Sequence, residues 1–133
     1  MSQVPDALAS MYRVGFVSVW LGLQNRVYLE GTRVLTDLCG LESYDSDAGE
    51  GYASHNGEPI AVADLILLLS SGRSFVDEVV KAAQRLGITE AVWSVIQFDM
   101  AYDPSLIARP VSDEPKFIGF FPYVADELPD WAR

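Results

Sequence analysis

The run Ala91 to Tyr102, AVWSVIQFDMAY, constrains the fold more than any other part of this chain. It is rich in β-branched and aromatic residues and carries no Gly or Pro, so it reads as a long strand. Alternate side chains of a strand point to opposite faces. Trp93, Val95, Gln97, Asp99 and Ala101 therefore share one face, and Val92, Ser94, Ile96, Phe98, Met100 and Tyr102 share the other. The second set is the more apolar and is expected against the core. A lone strand is not stable, so the chain must supply partners. Phe16 to Leu21 (FVSVWL) is β-branched and aromatic, ends at Gly22, and reads as a buried central strand. Lys116 to Tyr123 (KFIGFFPY) reads as the last strand, with Pro122 placing its end at a sheet edge. Asp103-Pro104 breaks the long strand, and the three prolines between 103 and 115 mark a connection.

The helical signals lie between these strands. Pro59 opens the run PIAVADLILLLSSG, which is apolar nearly all round and stops at Gly72. Ser74 and Asp77 have the spacing of a capping box, and Phe75, Val76, Val79, Val80, Ala83 and Leu86 repeat at helical intervals up to Gly87. Gln24–Leu29 and Thr32–Leu38 read as two short helical pieces broken by Gly31, with Thr32 as N-cap and Gly40 just past the C-terminus. Tyr44 and Tyr52 suggest a short edge strand. The expected architecture is an α+β domain: a mostly antiparallel sheet of three to five strands, with helices near 60–71 and 75–86 packed on one face. At 133 residues one domain is expected over 1–133, with 1–13 and 124–133 as peripheral segments.

Chemistry is sparse. The single cysteine, Cys39, excludes an internal disulfide and reads as a small buried hydrophobe beside Leu38 and Leu41. The single histidine, His55, lies in Ser54-His55-Asn56-Gly57, where nothing local would orient it as a base. One His and one Cys do not make a zinc site. The stretch from Asp45 departs from a calcium loop at three positions, where Gly49, Glu50 and Asn56 stand. Ser70-Ser71-Gly72-Arg73-Ser74 matches neither phosphate-binding fingerprint and reads as an interhelical turn. Asp99 and Asp103 read as a polar strand end rather than a catalytic pair. Trp20, Trp93 and Phe98 are expected in the core. No metal, cofactor or catalytic residue is expected. The N-terminus has neither the basic nor the apolar region of a signal peptide, and Ile60–Leu69 is too short to span a bilayer. A soluble, cytoplasmic protein is the expectation.

Charge is the informative quantity. The chain carries a net −10, and Val34 to Gly72 holds seven carboxylates with no Lys or Arg: Asp37, Glu42, Asp45, Asp47, Glu50, Glu58 and Asp64. Five of them fall between Glu42 and Glu58, among Gly, Ser and Asp. Such a stretch repels nucleic acid, whose phosphates need clustered Lys and Arg. It attracts and selects a basic protein partner.

Five pieces in order carry a resemblance: Val17-Ser-Val-Trp20-Leu-Gly22, then Leu41-Glu-Ser-Tyr44-Asp45, then Leu67-Leu-Leu-Ser-Ser-Gly-Arg-Ser74-Phe75. Phe98-Asp-Met-Ala-Tyr102 and Phe117-Ile-Gly119-Phe-Phe-Pro-Tyr123 complete it. Across about residues 15 to 123 the chain resembles the immunity 22 family, small proteins encoded beside toxins in bacterial polymorphic-toxin and secretion systems. The resemblance implies a non-enzymatic antitoxin that binds a cognate toxin in the producing cell. Such toxins are often basic nucleases, in keeping with the acidic stretch. Asp45, Asp47 and Glu50 would then occlude the toxin or mimic substrate phosphates, and Tyr44 and Tyr52 would supply amphipathic contact area. The rival readings are a small-molecule-binding or enzymatic domain with a cleft near Asp99, Asp103 and Ser74, and an acidic adaptor in an unrelated complex.

Overall fold

A computed structural model describes residues 11–23, 34–41, 48–54, 57–107 and 114–125. Among these residues six strands appear in chain order: β1 (Tyr12–Gly22), β2 (Gly49–Ala53), β3 (Ile60–Ala61), β4 (Glu90–Ala91), β5 (Trp93–Met100) and β6 (Lys116–Pro122). Two helices, α1 (Val62–Leu67) and α2 (Val76–Arg85), lie between β3 and β4. β2, β5, β1 and β6 form one sheet in that order, and β3 pairs with β4 in a separate ribbon. All these pairings are antiparallel. The α+β expectation and its three principal strands are met.

Alternation along β1 builds two cores. Val17, Val19 and Leu21 enter a cluster with Val62, Leu65, Ile66, Phe75 and Val79, which fastens the helices to one face. Trp20 points the other way, into a cluster with Leu35, Cys39, Leu41, Trp93 and Tyr102. The sheet is thus buried on both faces, and the second cover includes the π-helical turn Val34–Leu38. Tyr102 packs edge-on against Trp20 at 4.9 Å between ring centroids and against Phe117 at 4.8 Å. Its hydroxyl donates to the Cys39 carbonyl at 2.6 Å, pinning that cover to the sheet.

The even-numbered face expected of the long strand does not persist. Ile96 and Phe98 face the helices, whereas Met100 and Tyr102 belong to the opposite cluster. The change occurs at Asp99, whose φ is 58°, where the β1–β5 register shifts. Between the Val17–Phe98 and Tyr12–Met100 pairs β1 runs three residues longer than β5, and the left-handed Asp99 opposite this excess reverses the alternation beyond it. The start of the long run also differs, because Glu90–Ala91 pairs with Ala61–Ile60 rather than with the main sheet. β1 begins at Tyr12, ahead of the expected Phe16, and Met11 is 2% exposed in the core although 1–13 reads as peripheral.

The helices are shorter than their apolar runs. Ile60 and Ala61 are taken by β3, so α1 starts at Val62. After Leu67 the bonding tightens, with Leu69 N–H donating to the Ile66 carbonyl at 3.0 Å. The Ser70-Ser71 pair that follows favours turns over helix. Leu67 and Leu68 are exposed, although the run is apolar nearly all round. Ser74 is not the N-cap of α2: that position is Phe75, with no side-chain cap, and the Ser74 hydroxyl donates to the Ser71 carbonyl. Asp77 and Glu78 in the first turn and Arg85 in the last still complement the helix dipole. The C-terminus closes as the sequence implies. Gly87, at φ 78°, donates to the Gln84 carbonyl, and Ile88 donates to the Ala83 carbonyl. This is the Schellman pattern, which satisfies carbonyls that the helix end leaves open.

Candidate partner-binding edge

The acidic stretch meets the sheet at β2. Tyr44, Asp45 and Asp47 lie outside the described residues, as do His55 and the helical piece 24–29. Glu50 and Tyr52 lie on β2, at the edge of the four-stranded sheet. β2 confirms a short strand in this region, at Gly49–Ala53. Glu50 pairs with Ile96 and Tyr52 with Ser94, so both side chains lie on the helix-bearing face. Tyr52 is 41% exposed. Glu50 is half-buried, and its Oε1 accepts from Ser70 N–H at 2.8 Å. The carboxylate therefore holds the β2 edge to the turn after α1 as well as contributing charge.

The orientation of the β2 backbone follows from one bond. Ser54 N–H donates to the Val92 carbonyl at 2.7 Å, one step past the Ala53–Trp93 pair. Bonded and non-bonded pairs alternate in an antiparallel ladder. Glu50 and Tyr52 accordingly turn their N–H and C=O groups toward β5. Gly49, Gly51 and Ala53 turn theirs outward, where no strand lies among the described residues. No charge or motif pattern marks these three residues in the sequence; only the strand parity reveals them.

The sequence-level alternatives are engaged structurally. Asp99 Oδ1 accepts from Gly15 N–H at 3.0 Å and from the Tyr123 hydroxyl at 2.7 Å, joining three strands' ends at the bulge. Burial and the bond to Asp99 push the Tyr123 phenol up to about 12. Asp103 Oδ1 caps the turn Pro104–Leu106 by accepting from Ser105 N–H and Oγ–H. The Ser74 hydroxyl accepts from Val124 N–H. A cavity of about 310 Å³ is lined by Leu23, Pro59, Gly87, Ile88, Thr89, Glu90 and Ala91, and includes none of these three side chains. Cys39 is buried, and burial pushes its thiol up to about 12, away from nucleophilic chemistry. Among the described residues no cluster of His, Cys, Asp and Glu could hold a metal, and no helix is long and apolar enough to cross a membrane.

One surface feature escapes sequence reading. Arg13 lies 3.9 Å over the Phe16 ring, which meets Phe120 edge-on at 6.0 Å. The Arg13–Phe16 contact is a cation–π pair formed within β1. No family model matches the chain, nor does any curated protein or solved structure.

Proposed function

We propose that this chain is an immunity protein that binds a basic bacterial toxin, of nuclease type, and blocks its active site or substrate surface in the cytoplasm of the producing cell. The observation that carries the reading is the concentration of seven carboxylates, with no Lys or Arg, between Val34 and Gly72. Glu50 and Tyr52, within that stretch, occupy adjacent same-face positions on an edge strand, a suitable place for an electrostatic and aromatic contact. The resemblance to the immunity 22 family supports the same role. Inhibition is by binding, without turnover.

The test is to express the gene neighbouring this one, with and without it, and count survivors. Titration of purified toxin should then reach equivalence near one to one. Protection at clearly substoichiometric amounts, or no protection, would overturn the reading.

A further inference from the structure

The two edges of the main sheet are unlike. β6 carries the features that discourage pairing: Lys116 at its start, Pro122 at its end, and a register shift at Ile118–Gly119. β2 has none of these. Its sequence is Gly-Glu-Gly-Tyr-Ala, its register with β5 is unbroken, and Gly49, Gly51 and Ala53 direct their N–H and C=O groups outward. Gly51 and Ala53 are exposed, and two glycines and an alanine add little bulk beside the outward amides.

We propose that β2 is a docking edge that takes an extended, lysine- or arginine-bearing strand of a partner protein by antiparallel or parallel strand addition. This deepens the immunity reading and rests on it for the partner's identity as a toxin. Main-chain bonds at Gly49, Gly51 and Ala53 supply the attachment. Charge selects the occupant. A second copy of this chain brings another net −10 and another acidic stretch against the first, which opposes β2–β2 pairing. A basic strand meets attraction at the same place.

The experiment uses the ¹⁵N-labelled full chain and a blocked heptapeptide alternating Lys and Val. At saturation the peptide should slow hydrogen exchange at the Gly49, Gly51 and Ala53 amides. Spermine, of equal charge but without a peptide backbone, should slow none of them, and a Glu–Val heptapeptide should not bind. Gly51→Pro removes an outward N–H and leaves the β5 ladder intact, as edge prolines do. It should weaken the Lys–Val peptide roughly ten-fold or more, the loss of at least one backbone hydrogen bond. Unchanged exchange at all three amides in the wild-type chain overturns the proposal, whether or not the proline variant folds. So does equal peptide binding by folded Gly51→Pro. So does a dimer in sedimentation that Gly51→Pro disperses, since the occupant would then be a second copy. If the wild-type chain neutralises its toxin and folded Gly51→Pro does so with equal affinity, strand addition fails and the immunity reading stands. If the wild-type chain neutralises nothing, the immunity reading fails while the peptide result still decides the edge.

Discussion

The contact between Gly22 and Trp93 offers a sharp test of the second core. Trp93 is 3% exposed, and its indole lies across the Gly22 backbone. A Cβ built on Gly22 would stand 2.0 Å from Trp93 Cε2 and Nε1. No relaxed structure tolerates that distance, so Gly22→Ala must displace the ring or the strand. Overpacking of this kind costs about 1–3 kcal/mol. The backbone itself is not the obstacle, because Gly22 does not have a left-handed φ. Trp93→Ala alone should cost about 3–5 kcal/mol, the usual loss for a buried aromatic. The decisive measurement is the double-mutant cycle. Once the indole is gone, the added methyl has open space, and Gly→Ala should then be neutral or stabilise by roughly 0.4–1 kcal/mol through the unfolded chain. The coupling should therefore be about 1–4 kcal/mol, large for one pair. Urea unfolding followed by far-UV circular dichroism reads it without relying on the tryptophan removed. Equal destabilisation by Gly22→Ala in both backgrounds would refute the packing argument. An unchanged melting temperature for Trp93→Ala, with binding lost, would instead make the ring a surface contact.

The triple change Asp45→Asn, Asp47→Asn, Glu50→Gln should leave stability within about 0.5 kcal/mol, because the amide that replaces the Glu50 carboxylate keeps an oxygen for Ser70 N–H, and should cost roughly 2–5 kcal/mol of toxin affinity; calorimetry showing full affinity would remove this stretch as the interface. The association rate should fall steeply between about 0.05 and 0.5 M salt, as the Debye length shrinks, with dissociation changing less; stopped-flow traces indifferent to salt would exclude electrostatic steering. Cys39 should resist a thiol reagent at about pH 8, just below the ordinary thiol pKa, in the folded chain and react on addition of urea, and rapid native labelling would contradict its burial. Tyr123 is held protonated by the fold, so its stabilisation is complete below its ordinary pKa near 10 and is lost as pH rises toward about 12; Tyr123→Phe should flatten the decline of stability in that window, and an identical pH profile would mean the phenol is not perturbed.

The sheet was legible because its strands declare themselves locally. FVSVWL, AVWSVIQFDMAY and KFIGFFPY each combine β-forming residues with a clear stop, and each became a principal strand. The two-sided burial was not legible. Its second cover comes from Leu35, Cys39 and Leu41, far away in sequence from Trp93, and only tertiary pairing brings them together. The face reversal in β5 depends on a positive φ at Asp99, and Asp is one of few non-glycine residues that adopts it readily. From the sequence its carboxylate reads only as part of a polar strand face. In the fold it accepts the Gly15 amide and the Tyr123 hydroxyl, which fixes the bulge it creates.

The candidate site divides along the same line between charge and backbone. Charge is additive and needs no fold to be read, so the acidic stretch and Glu50 within it could be named from residues alone. Whether a carboxylate is free or bonded depends on register. Glu50 reaches Ser70 N–H because its side chain points to the helix face of an edge strand. The same register turns the amides of Gly49, Gly51 and Ala53 away from β5. In the sequence those residues look like loop filler between acids. In the sheet they turn their amides to an edge that bears no further strand among the described residues, while the β6 edge carries Lys116, Pro122 and a register shift. Steering and attachment are therefore separable: neutralising Glu50 and its neighbours should slow encounter, whereas Gly51→Pro should speed dissociation and leave the salt dependence of association in place. Surface plasmon resonance across salt concentrations distinguishes the two, and a proline variant that altered only the association rate would mean that charge alone holds the partner.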